Sequence, residues 1–182
     1  MSVYAPYIRG TAITFEYDVP AVEEFRERIR SVLSRYPYLV CTVDGEAAGY
    51  AYAGLMRERT AYGWDVELSV YVDARHYGRR IGRSLYGALI ELLELQNVCN
   101  FYGVVTLPND ASERLHTSLG FRRLGVFRNT GYKLGRWYDV AWYEKHIENR
   151  EQAPLPIVPV GELDAAQLER ILARAAQAVR RD

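Results

Sequence analysis

The most restrictive feature of the sequence is an alternating segment that runs into a turn and then into a helix. Residues 64–72 read WDVELSVYV, in which nearly every second side chain is apolar. Such a pattern predicts a β-strand with one face in the core and the other open to solvent or to a cleft. The apolar face holds Val66, Leu68, Val70 and Val72, and the other face holds Asp65, Glu67, Ser69 and Tyr71. YGRRIGRS follows closely, and apolar residues at helical spacing from Ile81 to Gln96 predict a helix.

The remaining elements are predicted from the same two periodicities. Apolar residues at three- and four-residue spacing after Pro20 predict a helix over residues 20–35. Asp44-Gly45 is typical of a β-hairpin turn, and FYGVVTL is apolar enough to predict a strand buried on both faces. The other predicted strands are TAITFEY (11–17), LVCTV (39–43), EAAGYAYAGL (46–55), RRLGVFRNTGYKLG (122–135) and RWYDVAWYEKHI (136–147).

Another helix is predicted after FYGVVTL. Asp110 and Glu113 have the spacing of a capping box, Leu115 and Leu119 share a core face, and Gly120 is suited to end the helix. The order of all these elements predicts an α/β (α+β) fold with a mixed central sheet and helices on both faces.

The C-terminal region differs in composition from the rest. Residues 151–163 are rich in proline, which predicts an extended linker after a domain that spans residues 1–150. Residues 164–182 carry apolar side chains at helical spacing, and Asp164 and Gln167 are placed to cap the start. We expect this amphipathic helix to pack on the domain or on a second subunit.

Composition restricts the class of function. The 23 Lys+Arg residues balance the 23 Asp+Glu residues, so the chain has no overall field that would attract nucleic acid or a membrane. Cys41 and Cys99 have neither metal-ligand spacing nor the number of a disulfide framework, and we expect no metal. The sequence contains no signal peptide and no apolar stretch of about 20 residues, which predicts a cytoplasmic protein.

The turn YGRRIGRS is a candidate anion site. A strand that leads through a Gly-containing turn into a helix leaves backbone N–H groups free at the positive end of the helix dipole. Arg79, Arg80 and Arg83 add formal charge that suits a pyrophosphate. A basic helix start that is merely solvated is the alternative.

Glu67 and His116 are candidate proton-transfer residues. Glu67 shares the polar face of its strand, where a cleft would desolvate the carboxylate and raise its pKa toward the range of a general base. His116 lies beside Leu115 on the flank of its helix. The alternatives are a solvent-exposed carboxylate and a histidine with a structural role.

Four stretches together give a more specific signal. They are RYPYLVCTVDGEAAGYAYAG, the ELSVYV strand, TLPNDASERLHTSLGF and GYKLGRWYDVAW. On these stretches the chain resembles the phosphinothricin N-acetyltransferase branch of the GNAT superfamily, over most of residues 4–160. The resemblance implies a GNAT fold and direct transfer of acetyl from acetyl-CoA to an amine, with both substrates in a split between two parallel strands.

The resemblance also implies how acetyl-CoA is bound. Val70, Tyr71 and Val72 would pair with the pantetheine arm in the manner of an added strand, and Asn109 would contact the arm farther along. The pyrophosphate would lie on the turn formed by Gly78, Arg79, Arg80, Ile81, Gly82 and Arg83.

Glu67 and His116 match the proposed catalytic positions of the family. An ammonium group has to lose a proton before it attacks a thioester, and these two residues are predicted to share the proton handling. A backbone N–H of the Val70 to Val72 strand would meet the oxyanion.

The same resemblance implies a site for a small amino-acid-like acceptor such as phosphinothricin or methionine sulfoximine. It would be formed by Phe15, Arg57, Arg59, Tyr62, Ser69 and Tyr71. Arg57 and Arg59 are predicted to alternate onto one face of a strand, where two cations grip carboxylate or phosphinate oxygens. A solvated strand end is the alternative for this pair. Other acceptors also stay open: a protein N-terminus, a polyamine or an aminoglycoside. So does a CoA-binding regulator without catalysis.

Two departures from the family pattern stand out. Arg80 occupies the place of the first glycine of the superfamily turn, where its Cβ would hinder close approach of the backbone to phosphate while its charge would offset that loss. The usual first strand and most of the first helix precede the segment equivalent to residues 4–7. The fold is therefore expected without them in the given sequence, and either the true start lies upstream of Met1 or the fold tolerates an open sheet edge. Family members are commonly dimers, which predicts a homodimer.

Overall fold

Six strands form one mixed sheet in the computed structural model, which describes residues 1–147 and 153–180. The strands are β1 (Tyr38–Val43), β2 (Glu46–Leu55), β3 (Asp65–Val72), β4 (Asn100–Thr106), β5 (Arg122–Lys133) and β6 (Arg136–His146). Their order in the sheet is β1-β2-β3-β4-β6-β5. β3 and β4 pair in parallel, and the other neighbours in this described sheet pair antiparallel. The predicted α/β class with a mixed sheet is confirmed.

The described residues contain five α-helices. They are α1 (Ala5–Gly10), α2 (Val22–Leu33), α3 (Ile81–Leu95), α4 (Asp110–Ser118) and α5 (Ala165–Ala178). The main core lies between α3 and the face of the sheet that carries Val66 and Leu68. A second cluster lies on the opposite face, where α1 and the side chain of Phe25 in α2 pack on Tyr50 and Tyr71. Helices therefore cover both faces, as the sequence predicted.

The sheet opens between its two parallel strands. The pairing of β3 with β4 runs from Asp65↔Asn100 to Leu68↔Gly103 and stops there. β3 continues to Val72 and β4 continues to Thr106, so the two strands separate beyond this point. We call the space between the diverging ends the β3–β4 gap.

The register of β3 decides which backbone groups face this gap. The Asp65 carbonyl accepts from the Met56 N–H at 3.3 Å, and the Asp73 N–H donates to the Ala48 carbonyl at 2.8 Å, so odd-numbered residues bond toward β2. Backbone groups alternate in direction along an antiparallel strand. The N–H and C=O groups of Leu68, Val70 and Val72 therefore point to the opposite edge, which is still paired with β4 at Leu68 and opens into the gap at Val70 and Val72.

The predicted strand at residues 11–17 is wrong. Thr11 and Thr14 turn their hydroxyls back to accept hydrogen bonds from the backbone N–H groups of Ile13 and Glu16, at 3.2 and 3.3 Å. These local bonds replace a ladder partner and fold the segment into turns. Its backbone is held instead by Lys133, whose Nζ donates to the Thr14 carbonyl at 2.7 Å.

Two further predictions need correction. The cap of α4 is Asn109, whose side chain accepts from the Ser112 N–H, and the Glu113 carboxylate accepts from the Tyr143 hydroxyl instead of completing a capping box with Asp110. FYGVVTL is not buried on both faces, because Val104 is 36% exposed where β4 borders the gap.

The C-terminal segment lies against the domain. Asp164 caps α5 by accepting from the Gln167 N–H, as predicted. α5 packs on α3, with an ion pair between Arg174 and Glu91. Residues 148–152, which include the predicted linker start, and residues 181–182 lie outside the described residues, so the division at 150, 151 and 163 stays a prediction. Within the described part of the chain, no helix is long and apolar enough to cross a membrane.

Candidate active site

The turn before α3 opens onto a cavity of about 590 Å³, which we call the turn cavity. It lies between the end of β3, the start of α3 and the start of α4. Seven residues with predicted cofactor roles line it: Val70, Val72, Gly78, Arg80, Ile81, Gly82 and Asn109. Of the other three, Tyr71 lies on β3 and Arg79 in the turn, while Arg83 donates from Nη1 to the Ser118 hydroxyl of α4 at 2.6 Å.

The turn reaches α3 through two residues with left-handed backbone. Gly78 has φ 84°, and Arg80, which caps α3, has φ 63° and ψ 11°. A residue with a Cβ is disfavoured in this conformation by about 1–2 kcal/mol, which is why glycine is usual there. Arg80 thus replaces a glycine at a position where the backbone itself favours glycine.

This strain predicts a difference between two variants of Arg80. Arg80→Gly and Arg80→Ala both remove the guanidinium group, but only glycine relieves the left-handed backbone. We expect the free energy of unfolding of Arg80→Gly to exceed that of Arg80→Ala by about 1 kcal/mol in urea titrations. Equal stability of the two variants would contradict the inference.

The edge of β3 that faces the gap is suited to pair with an extended ligand. The backbone groups of Val70 and Val72 point into the gap, whereas those of Tyr71 bond to Tyr50 of β2. The register therefore favours Val70 and Val72 for the predicted backbone pairing over Tyr71. Sequence reasoning missed Tyr7, whose hydroxyl donates to the Val72 carbonyl at 2.6 Å and lies 2.8 Å from the Tyr77 hydroxyl.

A second cavity of about 290 Å³ lies at the gap itself, and we call it the gap cavity. It contains five of the predicted catalytic and acceptor residues: Phe15, Glu67, Ser69, Tyr71 and His116. Ile13, Val70, Asn109 and Ser112 line both cavities. The two cavities are therefore neighbours along the open edge of β3.

Glu67 projects into the gap cavity from the polar face of β3. Burial raises the pKa of its carboxyl above the ordinary value, because the charged form loses solvent. A carboxylate with a raised pKa is a stronger base than an exposed one, which suits proton abstraction.

His116 is buried, with 3% of its surface exposed. Its Nδ1 lies 2.8 Å from the Ser112 carbonyl and its Nε2 lies 3.2 Å from the Tyr86 hydroxyl. Burial lowers the pKa of the imidazole, and the bond to Ser112 opposes that shift in part. The ring stands directly over Gly103 of β4, where a Cβ would lie 2.2 Å from Nε2.

Phe15 is held against β5. Its ring rests on Gly131 of β5, where a Cβ would lie 2.0 Å from Cζ. The turns of residues 11–17 thus bring Phe15 to the gap by crossing toward β5, not by adding a strand.

Arg57, Arg59 and Tyr62 lie outside both cavities. They follow the end of β2, and the predicted strand alternation of Arg57 and Arg59 is wrong because β2 ends at Leu55. The guanidinium carbon of Arg57 lies 5.6 Å from the Tyr62 ring centre. The loop that carries them leads directly into β3, two residues before Glu67.

Several residues of the gap cavity were missed by sequence reasoning. Three are tyrosines, and the alternation of Tyr50 and Tyr52 in EAAGYAYAGL was the available signal for an aromatic face. The missed residues with polar side chains include Tyr4, Thr14, Glu16, Tyr52, Tyr86 and Thr106. Glu16 is neutralised by Arg28, which lies at 2.8 Å.

Comparisons with known proteins agree with this architecture. The acetyltransferase (GNAT) domain family matches residues 3–142. A phosphinothricin N-acetyltransferase of Streptomyces viridochromogenes is 38% identical over 157 residues, which cover 86% of this chain and 85% of the relative. Another phosphinothricin N-acetyltransferase, from Streptomyces coelicolor, is 40% identical over 149 residues, covering 80% and 87%.

A solved structure gives the same result at the level of the fold. The phosphinothricin acetyltransferase of Sinorhizobium meliloti, crystallised in complex with AcCoA, has a TM-score of 0.81 and 31% identity, with 84% of each chain covered. The chain therefore belongs to the GNAT acetyltransferase family and is an N-acetyltransferase similar to the phosphinothricin N-acetyltransferases.

Proposed function

We propose that this protein transfers acetyl from acetyl-CoA to the free amino group of a small amino-acid-like substrate, of the phosphinothricin or methionine sulfoximine type, by direct attack in a ternary complex. The observation that carries the proposal is the junction of the two cavities at the β3–β4 gap. The turn cavity has room and backbone donors for the cofactor, and the gap cavity holds Glu67 beside the same open edge.

The residues of the turn cavity fit acetyl-CoA. The backbone groups of Val70 can pair with a pantetheine arm, and those of Val72 can do so once the arm displaces the Tyr7 hydroxyl. This hydroxyl donates to the Val72 carbonyl at 2.6 Å and accepts from the Val72 N–H at 3.4 Å. The start of α3 offers N–H groups to a pyrophosphate. Arg80 lies at this start and adds a positive charge. Acetyl-CoA supplies the thioester, and the protein supplies orientation and proton handling.

Glu67 is the proposed base. Its carboxylate removes a proton from the acceptor's ammonium group, directly or through water, which exposes the lone pair for attack. The Val70 N–H faces the gap and is the proposed donor to the oxyanion. His116 shares the proton handling, and its two nitrogens are already engaged by Ser112 and Tyr86.

The acceptor proposal is tested with Arg57. Arg57→Ala is expected to raise KM about tenfold for acceptors with a free carboxylate, since a charge-assisted bond is lost, and to leave kcat nearly unchanged. The amides of the same acceptors serve as the matched comparison, because they lack the anion. Arg30→Ala, on the exposed side of α2, controls for loss of a surface charge. An equal change of KM for acids and amides would argue against an anion contact.

The charged residues that line the gap cavity favour a second class of acceptor. Two carboxylates line the gap cavity among the described residues, Glu16 and Glu67, and Arg28 pairs with Glu16, so Glu67 is the one left to meet an acceptor. Neither Arg57 nor Arg59 borders the cavity. An acceptor that carries an amine but no carboxylate would suit this lining. Turnover of acetyl-CoA with thiol release, measured across amino acids, their amides and polyamines, distinguishes the classes. No turnover with any of these amines would contradict the proposed function.

We also propose a homodimer. Large apolar side chains are exposed along the β5–β6 hairpin, and we propose that a second copy covers them. They are Leu124, Phe127, Tyr132, Leu134 and Trp137, which is 58% exposed. The molar mass in solution, from light scattering, tests this proposal, and a monomeric mass would contradict it. The cytoplasmic location stays a prediction.

A further inference from the structure

Tyr86 stands between His116 and the backbone of β3. Its side chain is fully buried, and its hydroxyl lies 3.0 Å from the Leu68 carbonyl and 3.2 Å from Nε2 of His116. Leu68 is the last residue of β3 that pairs with β4. The Tyr86 hydroxyl therefore lies where the two strands separate, and its residue lines the gap cavity together with Glu67.

The hydrogen bonds that link Ser112, His116, Tyr86 and Leu68 determine where the hydrogen atoms lie. A carbonyl oxygen only accepts, so the Ser112 carbonyl places a hydrogen on Nδ1 of His116. The Leu68 carbonyl likewise takes the single hydroxyl hydrogen of Tyr86. In a neutral imidazole Nε2 then has only a lone pair to present to the Tyr86 oxygen. All three contacts are satisfied together only when Nε2 also carries a hydrogen.

We propose that Tyr86 is a positioning residue for the acetyl transfer: the Ser112 carbonyl holds His116 in the Nδ1–H form, and the Tyr86 hydroxyl stabilises the added proton on Nε2. When His116 is neutral, Nε2 and the Leu68 carbonyl compete for the single hydroxyl hydrogen of Tyr86. When His116 is protonated, Nε2–H donates to Tyr86, which donates to Leu68. The part of this inference that concerns catalysis rests on the proposed function.

The proton balance of the reaction matches this role. An ammonium group loses two protons in becoming an amide. One ends on the thiol of coenzyme A as the carbon–sulfur bond breaks, and the other leaves to solvent. The His116–Tyr86 pair can hold one of these protons at Nε2 without changing its hydrogen-bond partners, so no co-reactant is required.

Other side chains also contact the His116 ring or share its cavity. Tyr143 of β6 stacks on the ring at 5.2 Å, but its hydroxyl donates to Glu113 at 2.6 Å. Phe121 packs edge-on at 5.2 Å and carries no charge. Glu67 of β3 lines the same cavity. Burial opposes the imidazolium form, and Tyr86 is the ionisable neighbour whose hydroxyl bonds directly to the ring.

The test compares two phenylalanine variants by NMR titration of the histidine rings. Tyr86→Phe removes the acceptor of Nε2–H, and we expect the pKa of His116 to fall by about one unit. Tyr143→Phe is the matched control, because it removes a hydroxyl from the other tyrosine beside the ring and is expected to leave the pKa of His116 unchanged. Equal shifts in the two variants, or no shift in Tyr86→Phe, would overturn the inference.

Kinetics provide the second measurement. Tyr86→Phe is expected to lower kcat about tenfold while KM for acetyl-CoA stays within about twofold, and Tyr143→Phe is expected to keep kcat within about twofold. Unchanged kcat in Tyr86→Phe would overturn the catalytic part.

The wild-type protein allows a test that needs neither a variant nor activity. The ring nitrogen shifts of neutral His116 are expected to show hydrogen on Nδ1, and hydrogen on Nε2 would overturn the inference even if Tyr86→Phe failed to fold. The NMR titration also distinguishes failure of the Tyr86 inference from failure of the proposed function. A wild-type protein that acetylates no amine but shows the Tyr86-dependent pKa would contradict the proposed function alone.

Discussion

Glu67→Gln is expected to lower kcat by about 10²- to 10⁴-fold, the usual contribution of a general base. The substitution keeps the size and polarity of the side chain while removing its ability to take a proton. KM for acetyl-CoA should change little, because the cofactor is proposed to contact the β3 backbone and the turn. Steady-state kinetics with both substrates varied, together with calorimetry of acetyl-CoA binding, measure the two effects.

The pH dependence of kcat provides a second test of Glu67 as the base. Burial raises the pKa of Glu67, so in the wild type kcat is expected to fall as the pH is lowered through that raised pKa and the base becomes protonated. Glu67→Gln should lose this acidic limb. Glu94→Gln is the matched control, since burial also raises the pKa of Glu94 on α3 but its side chain lines neither cavity. Full turnover of Glu67→Gln near neutral pH would contradict the assignment.

The β3 strand shows why much of the fold could be predicted from the sequence. Apolar and polar side chains alternate along this strand because one face packs on the core, at Val66 and Leu68, and the other faces the gap, at Glu67. The hairpin is equally local, because Asp44 and Gly45 both adopt positive φ, at 51° and 81°, as the sequence pattern requires. Where one short-range cause determines the structure, sequence reasoning succeeds.

Residues 11–17 show where sequence reasoning fails. Their β-branched and aromatic residues predict a strand, but a strand needs a free partner edge, and the threonine hydroxyls bond locally instead. The position of Phe15 is then decided by Gly131, more than one hundred residues away in the chain. Such a long-range pairing leaves no local pattern.

Some features of the candidate site could be predicted from the sequence and others could not. Glu67 was placed by strand parity, and the turn by its position between a strand and a helix, so both were accessible from the sequence. The engagement of Nε2 of His116 was not, because it depends on Tyr86 from a different helix. Asn109 was assigned to the cofactor by resemblance, and the structure shows that its side chain also caps α4.

Gly103→Ala is expected to destabilise the fold by about 1–3 kcal/mol and to abolish most activity, because the new Cβ would lie 2.2 Å from Nε2 of His116. The imidazole cannot turn away easily, since it is packed between Tyr86, Phe121 and Tyr143. Denaturant titration gives the free energy of unfolding, and kcat measures the effect on the site. Gly125→Ala is the matched control on β5 of the same sheet, where a Cβ meets nothing within 4 Å.

A double variant separates the steric cause from a general intolerance of β4. His116→Ala removes the ring that the new Cβ would strike, so Gly103→Ala should cost much less free energy of unfolding in the His116→Ala background than in the wild type. Activity should stay low in both, because the imidazole is displaced in one and missing in the other. If the cost of Gly103→Ala is the same in the two backgrounds, the contact between His116 and β4 does not determine the preference for glycine, and the placement of His116 over the gap is wrong.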